Sequence, residues 1–467
     1  MEKKKFWTIF ISAVVLAGFL ATLGLAAYSS HQNDQDVKNF LAVYPFAQFT
    51  KLDDCSLCHP GGTASGKSYG SCDYCHITYG LKPPHGTVPL NSYGQAYKDA
   101  GRNEAAVRAI EGMDSDGDSF SNLAEIQSLS YPWDSADYPG LKKAPAVAMN
   151  MERILKLPDH SQLFLSNASK STDNYARYRG VKIKDLLVNA GLRPEATHIT
   201  VFAPDGFSKT FPINAPDPQS DPKTIQYDVM GPYPFGYYYG GLDFVEYGYD
   251  PGYFYDGHRI PDPLYMMLGY LRDGDPLDKG KLVPDPKNPA RLVLEGEGPY
   301  RLVLPQKIAG APDRPSTAAP LGDGLDYDGN KDHNAGSSVR SVTAIRVEPL
   351  PAGTTDFNWT ESGWNLVDKS RVVIYGAINP RKYPVMGWVT NERGYPIKDV
   401  TLTFGLEFLG QVEEVKTDRW GRFRAEIPLG EYVVKPMKEG YTFEPESIAI
   451  QLSWSGHKMS FTAKPIQ

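Results

Sequence analysis

A chain of 467 residues is too long for one hydrophobic core, so about three domains are expected. Hydrophobic residues at 41% and aromatics at 12%, with 44 glycines, 38 prolines and 29 tyrosines, describe a folded, turn-rich protein and exclude a disordered or long-helical one. The net charge of −7 is spread without a basic stripe, which removes the electrostatic case for a nucleic-acid partner.

At the start, Glu2-Lys3-Lys4-Lys5 precedes an uncharged run from Phe6 to Ser30 that contains Ile9, Phe10, Val14, Val15, Leu16, Phe19 and Leu20. This is the pattern of an export signal, and the lysines ahead of it send the chain from about residue 31 across the membrane. The run has the length of a bilayer span, and its end at Leu25-Ala26-Ala27-Tyr28-Ser29 is a mediocre cleavage site. A removed signal peptide and a membrane anchor through residues 6–30 therefore both stand. Either way the expected location is periplasmic, cell-surface or extracellular.

All four cysteines lie in two pairs, Cys55/Cys58 and Cys72/Cys75, and a histidine follows each pair at once, His59 and His76. Two thiols three positions apart can form thioethers to both vinyl groups of a c-type haem, while the next imidazole reaches the iron from the same side. A zinc ribbon and a pair of short disulfides are the competing readings, and neither needs the histidines. By composition, a histidine after both pairs has a chance on the order of one in a few thousand. Two covalently attached haems are expected, close together because the chain between His59 and His76 is short. Each iron also needs a sixth ligand or an open site. His85, in a proline-held loop after Pro83 and Pro84, is the candidate for one. For the other, His31, Met113, Met149, Met151 and His160 remain unranked, with His258 and His333 as remoter candidates.

A helical stretch with Ala106, Val107 and Ile110 on one face runs into an acidic loop. Asp114, Asp116, Asp118, Asn122 and Glu125 occupy positions 1, 3, 5, 9 and 12 of an EF-hand loop, and Phe120 at position 7 would supply its carbonyl. A structural Ca²⁺ ion is expected, against the bland reading of an acidic helix cap. Ser119 stands at position 6 in place of glycine, so Gly117 must make the sharp turn or Ser119 must accept strain. The haem motifs, the Leu90-Asn91-Ser92-Tyr93-Gly94 segment and this loop together resemble the haem-plus-EF-hand modules of bacterial multihaem cytochromes, over roughly residues 45–140.

From about Met149 strand-like runs alternate with proline-rich turns, as in 198–203 and 291–294. The segments 178–187, 203–208, 264–277, 298–305 and 342–347 resemble the sulfite-oxidase-type molybdopterin domain. That family binds molybdenum through a cysteine thiolate, and here every cysteine belongs to a haem motif, so a scaffold that has lost the molybdenum chemistry is expected, the alternative being a molybdopterin bound without the thiolate. An aromatic stretch from Tyr227 to Tyr270 reads as an insertion that packs on its own domain, or alternatively as a surface covering a haem edge or a partner. Asp326, Asp328, Asn330 and Asp332 begin like a second calcium loop but lack an acidic residue at position 12; solvated turns are expected there.

From about Tyr383 short alternating strands (385–390, 399–404, 421–426 and 431–435) predict a small sandwich. Its turns resemble the carboxypeptidase-regulatory-like or transthyretin-like module, which implies an interaction or spacing role. The expected fold class is thus multidomain: a small mainly α di-haem cytochrome c module, an α+β sulfite-oxidase-like middle domain and a C-terminal all-β sandwich. The expected boundaries are 1–30 for the signal or anchor, 31–147, 148–372 and 373–467. The expected function is electron transfer between membrane or periplasmic and extracellular redox partner proteins. A haem-dependent oxidoreductase acting on a small molecule and a self-assembling filament subunit are the alternatives.

Overall fold

The structure is a computed structural model that describes residues 35–47, 50–53, 57–59, 62–64, 67–69, 90–168, 173–205, 207–215, 226–238, 257–285, 288–313, 328–357, 359–406, 410–452 and 455–466. Strands hold 39% of the described residues and helices 17%. This corrects the expected class, with its mainly α di-haem module and α+β middle domain: the chain is a predominantly β protein built from several sheets. The reason is local. The alternating apolar runs of the middle and C-terminal parts bury one side each in sheets. The helices stay short, reaching ten residues at Trp359–Asp368 among the described ones.

The N-terminal part has helices at Gln35–Val43, Ser92–Asp99, Glu104–Ala109 and Asn122–Ser128, and a hairpin at Gly62–Ala64 and Lys67–Tyr69. Phe40, Tyr44, Leu52, Leu57, Tyr93, Tyr97, Val107, Ile110 and Ile126 form its core. The last three helices each begin at a polar cap, Asn91, Asn103 and Ser121, whose side chain accepts a backbone N–H of the first turn. Such caps contribute about 1 kcal/mol apiece.

In the middle part, one sheet runs Asp275–Pro276, Met267–Arg272, Asn174–Lys182, Asp159–Ser166, with Arg301–Val303 also paired to Met267–Arg272. The other runs Ala146–Asn150, Arg371–Gly376, Ala344–Glu348, His198–Phe202, Ser208–Pro212, and its one parallel pair is Ala344–Glu348 with Arg371–Gly376. Helix Ile183–Ala190 contributes Ile183, Leu186, Leu187 and Ala190 to the core these sheets share. It stops at Gly191, whose φ of +87° is the left-handed end a glycine makes without strain.

Two four-stranded sheets form the C-terminal sandwich: Arg422–Pro428, Lys382–Asn391, His457–Pro465, Tyr441–Glu444 over Gly410–Lys416, Thr401–Leu406, Glu431–Met437, Ile448–Gln451. Val385, Val389, Leu402, Phe404, Phe423 and Phe461 fill the space between. That core continues onto Ala146, Ala148, Ala344, Val373 and Tyr375 of the middle part. The expected boundary at 372/373 falls inside the strand Arg371–Gly376, which belongs to the middle sheet.

The N-terminal part is fastened to this body by a short parallel pair, Lys142–Lys143 with Thr354–Thr355. Beside it Lys51 Nζ meets the Asp137 carboxylate, their side chains only 7% and 9% exposed. Lys51 also donates to the Thr355 hydroxyl at 3.1 Å, and that hydroxyl donates to Asp137. The Tyr131 amide closes the knot with a 2.9 Å hydrogen bond to the same carboxylate.

Candidate haem-attachment and calcium sites

Of the haem-motif residues, Cys58 and His59 are described, whereas Cys55, Cys72, Cys75, His76 and His85 lie outside the described residues. So do His31 and the apolar run 6–30. Among the described residues no helix is long and apolar enough to cross a membrane.

The first motif is held by the segment that follows the second. The Asn91 amide donates to the Cys58 carbonyl at 2.9 Å, and Asn91 Nδ2 donates to the Leu57 carbonyl at 3.0 Å. Asn91 Oδ1 accepts the Gly94 N–H at 2.8 Å, starting helix Ser92–Asp99. A methyl group on Gly94 would lie 2.2 Å from the Cys58 carbonyl oxygen, so only glycine lets helix and motif meet so closely. Tyr93 is 1% exposed, and its hydroxyl has no hydrogen-bond partner among the described residues. Burial first, and the neighbouring Cys58 thiol second, push that phenol well above its ordinary range. A buried hydroxyl with no partner among the described residues, in the same cluster as Cys58, fits a polar-edged group attached there.

The described candidates for the sixth iron ligand are mostly engaged elsewhere. Met149 is buried in the middle core and Met151 packs against it. His160 Nε2 lies 2.9 Å from the Pro263 carbonyl, and His333 Nε2 lies 3.1 Å from Asp313 Oδ2. His258 sits in a two-residue strand paired with Tyr238, and Met113 is 46% exposed just before the acidic loop.

In that loop Asp114, Asp116 and Asp118 bring ligand oxygens within 4.8 Å of one another. Asp114 accepts the amides of Gly117, Asp118 and Ser119, which holds its carboxyl below the ordinary carboxylate range, the Ser119 bond contributing most. The turn uses two left-handed residues, Gly117 at φ +84° and Ser119 at φ +82°. Both candidates for the bend are therefore used together. Replacing Ser119 by glycine relieves a conformation that costs a side-chain-bearing residue about 1 kcal/mol. Ser119→Gly is accordingly expected to raise the thermal midpoint both with and without a chelator.

Glu125 is fully buried at the start of helix Asn122–Ser128, and neither of its carboxylate oxygens has a hydrogen-bond partner among the described residues. Asp116 Oδ2 and Asp118 Oδ2 are likewise buried and unpartnered. Burial, then the Asp116 and Asp118 charges, push Glu125 up to about 8; burial, then Asp118, push Asp116 up to about 6. Buried carboxylate oxygens without donors among the described residues, on groups that repel one another, are what a divalent cation would satisfy. Asn122 is fully buried as well, its Oδ1 accepting the Ser115 amide at 3.2 Å and its Nδ2 donating to the Ile110 carbonyl.

In the acidic run near 330, Gly329 and Asn330 form the exposed turn expected there, but Asp332 and Asn334 after them are buried. Asp332 is 2% exposed and accepts the amides of Lys307 and Ile308 and the Tyr227 hydroxyl. Asn334, fully buried, donates to the carbonyls of Leu165 and Leu304 and accepts the Asn167 amide. These side chains cross-link loops. Only tertiary partners distant in sequence reveal that role.

No protein-family model matches the chain, and no curated protein matches it. Among solved structures, 3-chlorocatechol 1,2-dioxygenase from Rhodococcus opacus 1CP is 14% identical with a TM-score of 0.15, over 19% of this chain and 62% of that one. A DUF3823 family protein from Parabacteroides merdae ATCC 43184 is 20% identical with a TM-score of 0.16, over 19% of this chain and 48% of that one. The chain thus spans less than two thirds of either. The 5-hydroxyisourate hydrolase of Klebsiella pneumoniae is 14% identical with a TM-score of 0.14, over 18% of this chain and 98% of that one. Similarities this low carry no argument about fold or function.

Proposed function

We propose that this protein is an exported c-type cytochrome that passes electrons through two covalently held haems, between redox partner proteins on or outside the membrane. The observation that carries the reading is the repeated pair of cysteines followed by histidine, at Cys55-Cys58-His59 and Cys72-Cys75-His76. The fastening of Leu57 and Cys58 by Asn91 and Gly94 supports it, because a haem-bearing turn has to be held in one geometry. The haems supply reversible one-electron chemistry when bound. The chain's part in this reading is to hold them: Cys55, Cys58, Cys72 and Cys75 would anchor them by thioethers, and His59 and His76 would ligate their irons. The acidic loop binds Ca²⁺ in a structural role, through Asp114, Asp116, Asp118, Asn122, Glu125 and the Phe120 carbonyl. Optical spectra of the purified full-length protein with and without carbon monoxide test the assignment. Two low-spin haems that bind no carbon monoxide are expected; a high-spin haem that binds it would replace electron transfer by small-molecule chemistry.

A further inference from the structure

The segment between the second haem motif and the acidic loop contains a residue whose side chain acts on the first motif. Asn91 is 8% exposed and uses three of its polar groups at once. Its backbone N–H holds the Cys58 carbonyl, its Nδ2 holds the Leu57 carbonyl, and its Oδ1 caps helix Ser92–Asp99 through the Gly94 amide. Two successive carbonyls immediately before His59 are thereby fixed to one residue more than thirty positions away in sequence. Gly94 brings the first turn of the helix flush against the Cys58 carbonyl, leaving no room for a methyl group. Capping a helix needs only one side-chain oxygen acceptor, which a serine Oγ or an aspartate Oδ1 supplies equally well. The Nδ2 bond to Leu57 is a further contact, made by asparagine and directed at the motif.

We propose that Asn91, backed by Gly94, is a positioning residue for the first haem: it fixes the Leu57-Cys58 backbone and so the direction in which His59 approaches the iron. The inference rests on the reading that Cys58 and His59 hold a haem. Ligand orientation and the hydrogen bonding around it tune a bound metal, so loosening this clamp changes the electronic signature of one haem only.

The test uses the full chain produced with haem attachment, as wild type, Asn91→Ser and Gly94→Ala. Asn91→Ser keeps a neutral helix cap and loses the reach to Leu57, whereas Gly94→Ala keeps Asn91 and pushes the helix off the turn. Haem count per chain is read by mass, and each haem is followed by its low-spin electron-paramagnetic-resonance signal and midpoint potential. Both variants are expected to shift the signal and potential of one haem, leaving the other and the circular-dichroism spectrum unchanged. A wild type with two haems and variants identical to it in both signals would overturn the positioning role alone. Asn91→Ser identical to wild type beside a shifted Gly94→Ala would also overturn it, reducing Asn91 to a cap. A wild type without covalent haem would remove the haem reading, and this inference with it.

Discussion

Calcium added to the chelated protein is expected to raise its thermal midpoint, and Glu125→Gln to abolish that response. Glu125 lies fully buried with two unpartnered carboxylate oxygens, facing a loop where Asp116 and Asp118 each bury another. In extracellular modules such loops bind calcium with dissociation constants of about 10⁻⁴ to 10⁻³ M. At a hundredfold excess over that constant, ligation adds about 2.7 kcal/mol. For a region of about a hundred residues this corresponds to roughly 10–20 °C. In the ion-free protein the substitution has the opposite sign at neutral pH, because glutamine sits in the buried site without the proton that glutamate must take up there. The pH dependence follows from the same group. Glu125 titrates near 8 in the folded ion-free chain, above its ordinary value of 4.5. The folded state therefore holds an extra proton between these values, and ion-free stability falls as pH rises through that window. Saturating calcium is expected to flatten the dependence. A calorimetric midpoint that ignores calcium at pH 8, in both wild type and Glu125→Gln, would contradict the loop's assignment.

Asp137→Ala is expected to cost about 3–5 kcal/mol, the penalty of leaving a buried charge without its partner. Lys51 and Asp137 are the buried pair, and Thr355 joins them from the β body. Losing Asp137 strands Lys51, frees the Tyr131 amide and loosens the Lys142–Lys143 to Thr354–Thr355 pairing beside it. The effect should appear in urea unfolding as an early transition of the N-terminal part, separated from that of the sheets. Thr355→Val is expected to be milder, and the double variant to fall short of the sum, because the three side chains form one network. A single unfolding transition within about 0.5 kcal/mol of wild type would show that the knot does not couple the two parts.

How much was legible in the sequence varied with how local the determining physics was. The C-terminal strands announced themselves through strict alternation: Val385, Val389, Leu402, Phe404 and Phe423 face inward as their two-residue period requires. The acidic loop stands out in the sequence for a similar reason, since the residues proposed to hold its ion lie within twelve consecutive positions. The sheet-rich fold class is not legible in the compact motifs, the two cysteine pairs followed by histidine and the acidic loop, because strands, with 39% of the described residues, are the larger class and pair with partners distant in sequence. The boundary near 372 was invisible because Arg371–Gly376 pairs with Ala146–Asn150 and Ala344–Glu348, partners far away in sequence. Asn91 is marked in the sequence only by the resemblance of its segment to cytochrome modules. Its two bonds to Leu57 and Cys58 depend on a close approach that Gly94 permits and that no periodicity encodes.

Whether the four cysteines carry haem is tested most directly by the mass of the intact purified protein. The full-length chain, made in a host that attaches c-type haem and then denatured and freed of loose cofactor, should carry two haems by mass and by pyridine haemochrome absorbance. Cys58→Ser should hold its second haem normally while its first attachment loses one thioether. A chain whose mass equals that of the polypeptide alone, or of the polypeptide with two disulfides or bound zinc, would contradict the account.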